Sequence, residues 1–161
     1  MLKLKRILVP VDFTRESELA LDWALKLAKE EPQAAILLCH VLPLVAIPVV
    51  PQGLAYESAG HYDDQKREIE KKMNRLLQRI PDEIEASYVI PQGLIAQEIE
   101  RITRDLGVDL VVMTTHGRRG LSHWVHGSIA EETIQRTPCP VLVLHLNTQT
   151  QGSEERAAAS K

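Results

Sequence analysis

Short apolar runs, too brief for helices, alternate along this chain with longer segments of helical period, and few architectures accept that order. The runs RILVPVDF (6–13), AAILLCHVL (34–42), EIEASYVI (83–90), VDLVVMTT (108–115) and PCPVLVLHL (138–146) are read as strands, the first, second and fourth as buried ones. Between them lie four segments with helical spacing. TRESELALDWALKLAKE (14–30) offers Thr14 and Ser17 as N-caps and sets Leu19, Ala20, Trp23, Ala24, Leu27 and Ala28 on one face, which predicts all six as core. HYDDQKREIEKKMNRLLQRI (61–80) turns Ile69, Met73, Leu76, Leu77 and Ile80 inward. AQEIERITRDLG (96–107) ends on Gly107 at a left-handed cap position, and SIAEETIQRT (128–137) is a fourth helix. Pro43 to about Gly60 shows no clean period and is expected to be a long irregular loop. Five strands alternating with four helices predict a single α/β domain, a doubly wound parallel sheet of the Rossmann-like kind.

Composition narrows the function. The formal net charge of −3 disfavours nucleic acid as a partner. Two cysteines, Cys39 and Cys139, are too few for a disulfide framework, and as buried free thiols they suit a reducing cytoplasm. No run of about 18 apolar residues is present to span a membrane, and no leader-like opening is seen. The polar tail from 147 to 161 is expected to fray.

In a doubly wound sheet, ligands bind at the carboxyl ends of the strands beside a helix N-terminus. That rule singles out Pro10, Asp12 and Phe13 after the first strand and His40 and Val41 after the second. It also singles out THGRRGLSHWVHGS (115–128), which follows the fourth strand and feeds the fourth helix. The run carries three histidines, two arginines, three glycines and two serines. Three chemistries use such residues. A zinc site would need the short Cys and His pairings that are missing around His116, His123, His126 and Cys139. A serine hydrolase would need a GxSxG elbow, which the chain lacks. A phosphate cradle fits better: Gly117 and Gly127 bracket a loop, Gly127-Ser128 opens a helix whose first N–H groups favour an anion, and Arg118 and Arg119 add charge. A plain turn and helix cap accounts for the same residues, and local chemistry leaves both open. The P-loop and GxGxxG patterns are absent.

The segments ILVPVDFT, LLCHV, VDLVVMTTHGRRGL and GSIAEETIQRTPCPVLVL resemble, in order and spacing, the universal stress protein family over residues 3 to 146. ATP-binding members carry G-x2-G-x9-G-[ST] in the phosphate loop. This chain has Thr114, Gly117, Gly127 and Ser128 at those positions, a threonine replacing the first glycine. The resemblance implies one domain over 1–146 with the fold of the adenine nucleotide α-hydrolase type. It implies ATP as ligand, with Mg²⁺ or Mn²⁺ accompanying it. Contacts are implied at Pro10, Val11, Asp12, Val41, Met113, Thr114, His116, Gly117, Arg118, Gly127, Ser128 and Ile129. Asp12 would take the ribose hydroxyls or the metal, and the Val41 backbone the adenine edge. The implied assembly is a homodimer through the last strand, about 140–146, which as an exposed edge also invites pairing. The implied function is a cytoplasmic ATP-binding module in stress response. Two other functions stay open: a nucleotide-free dimeric scaffold and a slow Mg-dependent ATPase.

Overall fold

The computed structural model describes residues 3–43, 55–115 and 128–145. In chain order these form β1 (Arg6–Pro10), α1 (Arg15–Glu30), β2 (Ala35–Cys39), β3 (Leu42–Pro43), α2 (Ala55–Leu77), β4 (Ala86–Val89), β5 (Gln92–Gly93), α3 (Ile95–Asp105), β6 (Leu110–Thr114), α4 (Ser128–Arg136) and β7 (Val141–Leu144). Five strands make a sheet in the order β4-β2-β1-β6-β7, and every pairing is parallel. The expected architecture is the observed one.

Strand alternation sends neighbouring side chains into two separate cores. Ile7, Val9, Ile36, Leu38 and Val112 join the core under α1 and α2, where Ala20, Ala24, Met73 and Leu76 meet them. Leu8, Leu37, Cys39, Val111 and Met113 point the other way, into the core with Ile99 and Ile102 of α3 and Ala130 of α4. Continuous apolar strands are thus the consequence of helices on both faces.

Three departures from the sequence reading have physical causes. Trp23 is 47 % exposed, while Ser17, Ala20, Leu21, Ala24 and Ala28 form the buried stripe of α1. Small residues let the helix lie close to the sheet, so the stripe is rotated and the large ring is left at its margin, with the Lys26 ammonium 4.8 Å from its centroid. The helix α2 starts at Ala55, inside the segment expected to be loop, and carries Gly60 within it. A glycine costs a helix only about 1 kcal/mol, which the remaining helix formers absorb. Finally, β3 and β5 pair as a two-residue parallel ladder that extends β2 and β4 beyond the main sheet. His40 N–H donates to the Val89 carbonyl at 3.2 Å and Leu42 N–H to that of Pro91 at 2.8 Å, so the two strands continue side by side across the break. A Cβ at Gly93 would lie 2.8 Å from Cγ of Glu98, so a larger residue there would have to displace the Glu98 side chain.

The caps follow the sequence closely. Thr14 is the N-cap of α1 and its Oγ1 accepts from Ser17 N–H. Gly107 has φ +60°, and Val108 N–H returns to the Thr103 carbonyl at 3.0 Å, closing α3 with a left-handed cap. The Arg6 guanidinium also donates to the Leu106 carbonyl at this helix end.

On α4, among the described residues, stands one buried polar group that packing does not explain. Thr133 is fully buried, and its Oγ1 finds no hydrogen-bond partner among the described residues. Thr133→Val keeps the branched shape and removes a hydroxyl desolvated without compensation. It is expected to raise stability by about 1 kcal/mol, read as a higher urea midpoint at unchanged slope. A lowered midpoint would show that the hydroxyl has a partner.

Candidate functional site

The strand order fixes where the site must lie. The chain leaves β1 for β2 on one side, and β6 later enters on the other, so the connections diverge between β1 and β6. At such a switch point the loops part and leave a crevice above the strand ends. Residues 10–14, 40–42 and 113–115 meet its rim.

The β1–α1 turn is held from several sides. Val11 N–H donates to the Cys39 carbonyl at 2.8 Å, the last rung between β1 and β2. Asp12 is exposed. Its N–H donates to Ser17 Oγ at 3.3 Å, and Ser17 Oγ donates to the Thr14 carbonyl at 3.0 Å. Oδ1 of Asp12 accepts from Thr14 N–H at 3.0 Å and from Thr14 Oγ1 at 2.5 Å. Phe13 takes φ +63°, a left-handed conformation unusual for a bulky residue. Its ring centroid lies 4.6 Å from that of His40, and the Lys72 ammonium of α2 stands 5.1 Å from it. His40 Nδ1 donates to the Val11 carbonyl at 2.8 Å.

On the β2 side, Val41 is buried in the α3/α4 core. His40 and Leu42 direct their N–H groups toward β4 and Pro91, so Val41, between them, directs its N–H and C=O toward the β1 side. Among the described residues no backbone bond continues on that side beyond the rung at Val11.

On the β6 side, Met113 is buried in the same core and Thr114, the last residue of the strand, is 7 % exposed. Thr115 N–H extends the ladder to the Leu144 carbonyl at 3.2 Å, and Thr115 Oγ1 shares a hydrogen bond of 3.0 Å with Nδ1 of His145. Ser128 opens α4 and is exposed; Ile129 beside it is 41 % exposed. His116, Gly117, Arg118 and Gly127 lie outside the described residues, as do Arg119, His123 and His126.

The structure therefore brings together Pro10, Val11 and Asp12 with Val41 and with Met113 and Thr114, at the ends of three adjacent strands. Among the described residues no group of three His, Cys, Asp or Glu side chains stands close enough to hold a metal ion. Neither cysteine is poised for chemistry. Burial first, and then the negative charge of Glu98, push the Cys39 thiol up to about 12 against the opposing charge of Arg101; burial also raises that of the half-buried Cys139. Sequence position alone flagged Phe13 and His40 but not their contact. The two side chains come together because strands one and two are neighbours, which the order of elements does not state.

Comparison with known proteins agrees with this fold. The model of the Universal stress protein family matches residues 3–145. Universal stress protein YxiE of Bacillus subtilis is 29 % identical over 145 residues, covering 86 % of this chain and 97 % of its own. Universal stress protein MJ0577 of Methanocaldococcus jannaschii is 28 % identical over 155 residues, covering 87 % and 94 %. The solved structure of MJ0577 superposes with a TM-score of 0.76 at 26 % identity, covering 91 % of this chain and 99 % of that one. A universal stress protein of Archaeoglobus fulgidus, solved in complex with dAMP, shares the fold at a TM-score of 0.62 and 16 % identity over 89 % and 98 % of the chains. With strand order, helix placement and the family match over nearly the whole described sheet in accord, this chain belongs to the universal stress protein family.

Proposed function

We propose that this chain is an adenine-nucleotide-binding module, with ATP as its ligand, that works as a homodimer in a cytoplasmic stress response. The observation that carries the proposal is the meeting of Asp12, the Val41 backbone and Thr114 at the β1/β6 switch point, with α4 the next helix in the chain after β6. The complex of the Archaeoglobus fulgidus relative with dAMP supports an adenine nucleotide as the ligand class.

Each group has a task that its chemistry suits. The N–H and C=O of Val41 present a donor and an acceptor, the pattern that an adenine edge complements. Asp12, exposed and acceptor-only when ionised, suits ribose hydroxyls. A divalent ion would sit there on the Asp12 carboxylate and the nucleotide's own oxygens, as Mg²⁺ commonly does. The family's first loop glycine is Thr114 here, and its burial leaves little of the side chain to obstruct a ligand. Gly117, Gly127 and Ser128 would supply the phosphate loop, flanked by His116 and Arg118, with Ile129 closing against the nucleotide.

The test is thermal unfolding with and without Mg-ATP. At ten times the dissociation constant, mass action adds about 1.4 kcal/mol. For a chain of this size that shifts the midpoint by about 3–6 °C. A transition unmoved by millimolar Mg-ATP would leave the nucleotide-free scaffold as the function.

The dimer has its own support. β7 is an edge strand whose four residues are all half-buried, so it offers pairing groups and apolar side chains together. Sedimentation at micromolar concentration is expected to give a dimer. A monomer would rule out pairing through β7.

A further inference from the structure

We propose that His40 and Phe13 form a clamp that positions Asp12 for the nucleotide, His40 acting through its Nδ1 bond to the Val11 carbonyl and Phe13 through its ring. The inference rests on the nucleotide-binding function proposed above and adds two residues to it, neither of which touches the ligand.

The turn from Val11 to Thr14 is held by local bonds among Asp12, Thr14 and Ser17, yet one of its residues takes a conformation that its side chain disfavours. Phe13 stands at φ +63°, where glycine is at ease and an aromatic residue is strained. Such strain persists only where the surroundings over-determine it, and it clusters at functional sites. Here the surroundings are visible. The ring of Phe13 lies tilted against that of His40, centroids 4.6 Å apart at 33°, with the Lys72 ammonium 5.1 Å away. His40 in turn is tied to the residue before Asp12 by a bond of 2.8 Å, and since a carbonyl can only accept, Nδ1 must carry the hydrogen. One side chain thus grips the turn before Asp12 and supports the ring after it. Thr14 and Ser17 fix Asp12 from the helix side, but those bonds travel with the N-terminus of α1. The backbone rung from Val11 N–H to the Cys39 carbonyl already joins the turn to β2, and the clamp adds a side-chain tie from His40, the residue between β2 and Val41. Together they hold the carboxylate in place relative to the Val41 backbone.

A turn alone would be served better by glycine at position 13, and this difference makes the proposal testable. Binding of Mg-ATP is measured by calorimetry for the wild type, His40→Ala, His40→Asn, Phe13→Gly, Asp12→Ala and the double variant Asp12→Ala/His40→Ala, each checked for folding by circular dichroism. His40→Ala is expected to weaken binding about tenfold or more, whereas His40→Asn, which keeps a donor near the place of Nδ1, should stay within about threefold of wild type. Phe13→Gly relaxes the strain yet should still bind several-fold more weakly. In the Asp12→Ala background, His40→Ala should cost almost nothing further, because its effect passes through Asp12.

Additive losses in the double variant, no rescue by His40→Asn, or wild-type affinity in Phe13→Gly would each overturn the proposal. A second readout needs no ligand. In the free protein, ¹⁵N resonances should show His40 with hydrogen on Nδ1, and His40→Ala should broaden or split the amides of Asp12, Phe13 and Thr14 while His40→Asn leaves them single. If wild type fails to bind Mg-ATP, the nucleotide function falls, and these amides still decide whether the clamp exists. Unchanged amides in His40→Ala would dismiss it, and they also decide should Asp12→Ala bind too weakly to measure.

Discussion

Leu8→Ala is expected to lower the unfolding free energy by about 3–4 kcal/mol, seen as a reduced urea midpoint with the slope kept. Leu8 is completely buried on β1, the middle strand of five, and points into the core that α3 and α4 cover. Its neighbours in the register, Leu37 on β2 and Val111 on β6, belong to the same core, so truncation opens a cavity with sheet on both sides. A sheet paired along both edges of the strand collapses poorly into such a hole, and the cavity cost is then added to the transfer cost. A domain holds only about 5–15 kcal/mol in total, so much of the margin would go. Trp23→Ala provides the contrast. It removes a larger side chain, but one 47 % exposed, and should cost about 1 kcal/mol or less. If the two variants lose equal stability, the division between core and margin described for α1 is wrong.

That contrast also marks how far the sequence reaches. Periodicity placed the strands and helices because burial on one or two faces imposes a period that any reader can count. Ile69, Met73, Leu76 and Ile80 are buried as their spacing requires, and Gly107 caps α3 with the positive φ expected of it. Rotation about the helix axis is less legible. The stripe of α1 runs through Ser17, Ala20, Ala24 and Ala28, and the choice between it and the neighbouring Trp23 depends on how closely the helix approaches the sheet. The ladder of β3 with β5 was out of reach for another reason. Two residues are too few for a period, and Leu42 and Gln92 meet only because β2 and β4 are adjacent.

At the site, position was legible and contact was not. Strand ends could be located from the chain, which put Asp12 and Val41 at the carboxyl edge of the sheet, while Thr114 came from the family resemblance. The pairing of His40 with the Val11 carbonyl joins residues 29 apart in sequence and follows from strand order alone. The strain at Phe13 is invisible in composition, since the usual marker of a left-handed turn is a glycine or asparagine, and the residue here is neither.

Gly127→Val is expected to weaken Mg-ATP binding by ten- to a hundredfold, a loss of about 1.4 to 2.8 kcal/mol. Gly127 immediately precedes Ser128, the first residue of α4. The first N–H groups of a helix have no partner inside it, and the aligned peptide dipoles make that end favourable for an anion. A phosphate that uses those groups must come close to the backbone, and a glycine permits the approach that a branched side chain refuses. His126→Ala, one residue earlier, leaves every backbone donor in place and should change affinity by less than about threefold. The pair separates two mechanisms for the same stretch of sequence. A cradle of backbone donors predicts loss in the glycine variant alone, and a histidine-centred anion site predicts loss in the histidine variant. Titration of a fluorescent ATP analogue into both variants, each folded by circular dichroism, measures the difference. Normal binding by Gly127→Val, or loss confined to His126→Ala, would place the phosphates somewhere other than the start of α4.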